Sequence, residues 1–148
     1  MASQRYSVTR VASAPRETVW TVVSEAAGWK NWAGVIRSSL EREGDPPPDG
    51  VGAIRHLGLG FLGSREEVVE WESPSHLGYV ILSGMLPVRN YRADVFLEQT
   101  GPATTLIRWS GTFDPVVPGT GALMRSVLHA IISRFAKRAA RYAKRQVA

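Results

Sequence analysis

Apolar and polar residues alternate through the middle of the chain and recur with helical spacing near its two ends. Between Arg89 and Thr100, Tyr91, Ala93, Val95 and Leu97 share one face of an extended chain, opposite Arg92, Asp94, Phe96 and Glu98. Between Thr104 and Phe113, Thr105, Ile107, Trp109 and Phe113 share a face, opposite Thr104, Arg108 and Thr112. Further strands are predicted over Val35–Glu43, Val51–Leu59, Ser64–Glu72 and Leu77–Ser83, bounded by the Gly, Pro, Asn or Asp that short antiparallel connections need. An earlier strand is predicted over Tyr6–Ala12. The phase of Ser64–Glu72 stays open, because Val68 and Val69 are both apolar. The Asp45–Gly50 run, with three successive prolines, reads as a turn.

Two regions have helical period. Ser13 offers a cap, and Pro15 suits an early helix position whose N–H has no partner to lose. Thr18, Val19, Val22 and Val23 follow at helical spacing, and Gly28–Trp32 closes the region as a short second helix or tight turn. From Gly121 to Gln146, Leu123, Val127, Leu128, Ile131, Phe135 and Tyr142 form an apolar stripe, with Arg134, Arg138, Arg141 and Arg145 on another face. At roughly 1.5 Å per residue this helix is about 35–40 Å long. The predicted order is strand, helical pair, six strands, long helix: an α+β chain with about seven strands. A one-sided antiparallel sheet must cover its apolar face, and the long helix is the evident cover.

The 148 residues suit one domain spanning 1–148, long enough to bury about 70% of the unfolded surface. With no cysteine, disulfides, thiolate catalysis and zinc–sulfur sites are excluded. His56, His76 and His129 lack metal-binding spacing, so neither a metal nor a cofactor is expected. No run of about 18 apolar residues appears, so no stable membrane insertion is expected. The opening MASQRYSVTRV lacks an apolar signal core, which predicts a cytoplasmic setting. The net charge of +5 is unevenly spread: from Gly119 onward there are seven basic residues and no acid. That excess reads as the solvated face of the long helix, and cations near a helix C-terminus complement its dipole. Without interleaved aromatics no nucleic-acid partner is expected, and the chain is expected to be a monomer or weak homodimer.

A family resemblance follows from an ordered set of residues. Ala14-Pro15-Arg16-Glu17-Thr18-Val19-Trp20 resembles an "APxxxVW" opening, and Trp29 and Trp32 resemble its "WxxW" continuation. Val51-Gly52, Glu70-Trp71-Glu72-Ser73-Pro74 before Tyr79, and Trp109 through Phe113-Asp114-Pro115 resemble later landmarks. The chain thus resembles the START-like (SRPBCC) superfamily, in particular its polyketide cyclase/dehydrase and lipid-transport branch. The resemblance implies the helix-grip (START/Bet v 1-like) fold, in which the C-terminal helix lies across a curved antiparallel sheet and closes a cavity. It also implies binding of hydrophobic or aromatic small molecules, without fixing any chemistry.

The expected cavity residues on the sheet side are Trp32, Ile54, His56, Leu59, Phe61, Trp71, Tyr79, Tyr91, Val95, Ile107 and Trp109. On the helix they are Met124, Leu128, Ile131 and Phe135. Tyr91, Val95, Ile107 and Trp109 would form the back wall, and the mouth would lie between Gly58–Gly63 and Gly84–Val88. Such aromatics can equally fill a close-packed core. Polar interior candidates are Arg55, His56, Glu67, Tyr79 and Tyr91. If His56 alternates inward with Ile54, it and Tyr91 are the acid/base candidates for a cyclisation or dehydration. Three functions remain open at this stage: a hydrophobic-ligand binder, a cyclase or dehydratase, and a co-chaperone-like interaction module.

Overall fold

The computed structural model describes residues 3–59 and 62–147. Its elements are β1 (Gln4–Ala12), α1 (Arg16–Ser24), a 3-10 turn (Ala26–Asn31), β2 (Arg37–Arg42), β3 (Ile54–Leu59), β4 (Leu62–Glu72), β5 (His76–Ser83), β6 (Val88–Gly101), β7 (Thr104–Pro115) and α2 (Gly121–Gln146). The seven strands among the described residues form one antiparallel sheet in the order β1-β7-β6-β5-β4-β3-β2. This is the helix-grip arrangement that the family resemblance implied, and the element order is the one read from the sequence patterns. No helix among the described residues is long and apolar enough to cross a membrane.

Alternation explains the sheet's inner face. Ala93, Val95 and Leu97 of β6 and Ile107, Trp109 and Phe113 of β7 are all buried beside Tyr6 and Val8 of β1. In β4 the alternation breaks. Val68 pairs with Tyr79 and Glu70 with Gly78, so Val69 is the extra residue of a bulge. Neither phase could have held through this strand, which is why its sequence left the phase open. Inward-facing positions before the bulge are Ser64, Glu66 and Val68; Val68 is wholly buried.

The helices differ from expectation in detail. Pro15 itself occupies the N-cap of α1 and Ser13 lies outside it, so no side chain caps this helix. The turn that follows is held from elsewhere: the buried Asp49 carboxylate, in the proline-rich loop, accepts the Ala26 N–H at 3.1 Å. The buried face of α2 is Met124, Leu128, Ile132, Ala136, Ala139, Ala140 and Ala143. Leu123 is 59% exposed, and Val127, Ile131, Phe135 and Tyr142 sit at the margin. The true contact face is therefore rotated from the stripe of large apolar residues. Alanines make up the C-terminal half of this buried face, and the helix packs mainly against β1 and α1, where large side chains would hold it off.

This rotation is testable by urea unfolding. Ile132→Ala should cost about 2–5 kcal/mol, whereas Leu123→Ala should stay within about 0.5 kcal/mol. Equal losses at both positions would contradict the assigned face.

Candidate functional site

The site is built on the phase of β3. This strand runs in unbroken register against β4, from Ile54 opposite Glu67 to Leu59 opposite Leu62. The register sets Arg55 directly across from Glu66, and both point to the concave side. Arg55 is 0% exposed. Its Nη2 donates to Glu66 Oε1 at 3.4 Å, and Ser64 Oγ donates to the other carboxylate oxygen at 3.1 Å. The guanidinium lies between two aromatic rings, 5.6 Å from the Trp29 centroid and 5.3 Å from that of Tyr79. These cation–π contacts replace part of the hydration the cation loses. Arg55 Nε and Nη1 find no acceptor among the described residues. Burial pushes the Glu66 carboxyl above its ordinary range, while Arg55 and Ser64 pull it down.

Beside this pair is a layer of tyrosines. Trp109 Nε1 donates to the Tyr79 hydroxyl at 3.1 Å. The Tyr6 and Tyr91 hydroxyls share a short hydrogen bond. Gly111 makes that contact possible, since a β-carbon there would sit 2.5 Å from Tyr6 Cε1. The Tyr6 ring can thus cross β7 toward β6. Burial raises the hydroxyl pKa of Tyr6, Tyr79 and Tyr91, so all three stay neutral at ordinary pH.

A cavity of about 550 Å³ opens between this wall and α2. Leu128, Ile131, Ile132 and Phe135 cover it from the helix, and Trp29, Val35, Leu57 and Ile81 extend its apolar surface. Its polar lining includes Ser64, Glu66, Tyr79 and Tyr91. Gly58, Gly63, Gly84, Met85, Leu86 and Val88, from the two hairpin ends, also border it.

Of the residues expected here, Tyr79, Tyr91, Leu128, Ile131 and Phe135 line this space. Val95, Ile107, Trp109 and Met124 instead belong to the packed core. Trp32 is buried behind Trp29, with ring centroids 4.6 Å apart, and Trp71 packs edge-on against Trp20 at 4.9 Å. The Phe61 position and the Leu59 side chain lie outside the described residues.

The expected inward face of His56 is corrected. His56 and Ile54 share the outer side of β3, because Arg55 and Leu57 take the inner one. There His56 Nε2 lies 2.7 Å from Glu41 Oε1, and Arg65 donates twice to the same carboxylate. This pairing lowers the Glu41 pKa to about 2. Glu67 is likewise outward, 3.4 Å from Arg42. Ser64, Glu66 and Trp29 were missed. For Ser64 and Glu66 the signal was the alternation of Arg55 with Leu57, readable only once the register with β4 is known; Trp29, on the 3-10 turn, had no such signal.

Metal-ligating atoms of Glu70, Glu72 and His76 converge within 4.8 Å of one another on the outer face. A cation of the protein already serves this cluster: Arg92 Nη2 bonds Glu70 at 2.6 Å and Asp94 at 3.0 Å. His76 Nε2 is 2.7 Å from Asp94, and its ring stacks on Phe96.

A family model described as "Polyketide cyclase / dehydrase and lipid transport" matches residues 3–144. Solved structures with the same fold include a START superfamily protein from Mycobacterium smegmatis, with 14% identity, TM-score 0.81 and coverage of 96% of this chain and 98% of that one. The Zhui aromatase/cyclase from a Streptomyces species has 13% identity and TM-score 0.80, over 99% and 97% of the two chains. Norcoclaurine synthase from Thalictrum flavum, in complex with dopamine and hydroxybenzaldehyde, has 16% identity and TM-score 0.74, over 95% and 86%. No curated protein matches the chain.

The buried pair makes a prediction with a definite sign. Arg55→Met leaves Glu66 without its cation and should cost about 3–5 kcal/mol at pH 7. A raised folded-state pKa means that the native protein holds the proton more tightly than the unfolded chain. Stability is then fully present below the ordinary carboxyl value of 4.5 and falls as pH rises through the folded value. Removing Arg55 removes a downward influence, so the loss in Arg55→Met should grow with pH above that point. Adding Glu66→Gln should abolish this slope and recover much of the loss in urea titrations across pH. A slope unchanged by Glu66→Gln would refute the assignment.

Proposed function

We propose that this chain, which belongs to the polyketide cyclase / dehydrase and lipid transport family through residues 3–144, uses its cavity to hold a hydrophobic, ring-bearing small molecule that carries oxygen. The observation that carries this reading is the contrast within the cavity walls. Leu57, Ile81, Ile131 and Phe135 offer apolar contact, while Ser64, Glu66 and Tyr91 supply a few fixed polar groups. That division is typical of small-molecule sites, and the volume of about 550 Å³ lies inside their usual range of roughly 300–1,000 Å³. The Tyr91 hydroxyl can turn toward a ligand carbonyl, and Arg55, paired with the cavity-lining Glu66, has two nitrogens without an acceptor among the described residues. The aromatic, oxygen-bearing ligands of norcoclaurine synthase, a protein of the same fold, support this ligand class.

A second reading is a cyclase or dehydratase, favoured by Glu66. A carboxyl whose pKa is raised by burial is suited to proton transfer, and it faces the same cavity as the Tyr91 hydroxyl. In that reading Glu66 exchanges a proton with the substrate and Tyr91 holds a carbonyl oxygen. His56 has no part in it.

Binding is tested with the neutral fluorophore 1-aminoanthracene and with anthrone, a ring system of similar size that bears a carbonyl. Both should bind the intact protein. Ile131→Trp, which fills the cavity from the margin of α2, should weaken both by about tenfold or more. Tyr91→Phe should spare aminoanthracene and weaken anthrone by about three- to tenfold, the loss of one hydrogen bond. Absence of binding by either probe, or indifference to Ile131→Trp, would sink the binding reading.

A further inference from the structure

A second depression lies between the 3-10 turn and the solvent side of α2. Arg134, Lys137, Arg138, Arg141 and Arg145 line it together with Trp32, around about 390 Å³. Arg134, Arg138, Arg141 and Arg145 follow one another at four-, three- and four-residue steps, and Lys137 lies three residues after Arg134 and four before Arg141, so like charges face each other across helical turns, where they repel. None of the five pairs with a carboxylate among the described residues. Elsewhere Arg42, Arg55, Arg65 and Arg92 do, while isolated exposed cations such as Arg10 and Arg108 have no such pair among the described residues; the groove differs in gathering five of them. The helix dipole accounts for cations only in the last turn, which holds Lys144 and Arg145. Arg134 to Arg141 lie further in.

Two features set this groove apart from an ordinary solvated helix face. Trp32 is only 5% exposed, and its Nε1 has no acceptor among the described residues. A buried N–H donor therefore borders a groove already crowded with donors. Gly34, two residues further along the chain, has φ +82°, and Arg138 Nη1 lies 3.0 Å from where a β-carbon would stand. Any other residue would be strained there and would crowd the guanidinium that rests against this loop.

We propose that this groove is an anion site for a phosphate-class group. Guanidinium forks match phosphate oxygens bidentately, and several cations suit a multiply charged anion better than one carboxylate. The site is separate from the apolar cavity, since Trp29 and Phe135 line the cavity while Trp32, packed against both, lines the groove.

The experiment is calorimetry and tryptophan emission on the intact chain, titrated with inorganic pyrophosphate against sodium chloride of matched ionic strength. Pyrophosphate should bind at one site and change the emission, and Trp32→Phe should remove that change. Arg138→Gln with Arg141→Gln should weaken binding by about tenfold or more, as should the independent pair Arg134→Gln with Lys137→Gln. Arg10→Gln, an exposed cation on β1, should leave binding unchanged. Vesicles of phosphatidylcholine, with or without phosphatidylglycerol, separate the sources of the phosphate. Binding to the anionic vesicles that pyrophosphate displaces assigns a lipid headgroup; pyrophosphate binding without vesicle binding assigns a free phosphorylated ligand. No response to pyrophosphate beyond chloride would overturn the site, even if anionic vesicles bind. So would an Arg10→Gln effect as large as that of the groove variants.

Discussion

α2 covers a seven-stranded sheet from one edge, and the size of its contact residues sets how near it comes. Ala136, Ala139, Ala140 and Ala143 bring the helix down in the region of β1 and α1. A straight helix held close along one edge cannot also touch the far strands of a curved sheet. The space left on that side is the cavity, bordered by Ile131 and Phe135 at the helix margin and by β3 to β6 opposite. Close packing and the open volume are two results of one constraint.

The wall facing that space is polar where a core would ordinarily be apolar. A buried guanidinium loses hydration, and the Arg55 contacts with Glu66, Trp29 and Tyr79 return part of it. Apolar side chains of similar volume would pack as well without that cost. The groups are conspicuous because they cluster beside the cavity: Glu66, Tyr79, Tyr91 and Ser64 all reach its surface. Tyr6 buttresses Tyr91 from β1 by crossing Gly111, so a strand at the sheet edge orients a hydroxyl inside.

Charge is distributed differently on the two sides of the molecule. Part of the outer sheet face holds cations in ion-paired clusters, as with Glu41, His56 and Arg65, or Glu70, Arg92 and Asp94. The exposed side of α2 carries Arg134, Lys137, Arg138, Arg141 and Arg145 without such partners among the described residues. The uneven charge along the chain is therefore also a separation in space, with the apolar cavity and the aromatic cluster of Trp29, Trp32 and Phe135 between the two.

Element order, strand number and the covering role of the last helix were legible in the sequence, because each depends on local alternation or period. The inward face of β6 and β7 was legible for the same reason: Tyr91 to Leu97 and Ile107 to Phe113 alternate without interruption. The phases of β3 and β4 were not. His56 and Arg55 are both polar, Val68 and Val69 both apolar, and the bulge at Val69 erases the parity that alternation relies on. On α2, period alone could not choose between a stripe of large residues and a face of alanines, since the choice depends on how closely another surface approaches. By itself the sequence determined a curved sheet closed by a helix. Only the tertiary structure decided which polar side chains enter the interior, because that follows from strand register and from contacts between residues far apart in the chain.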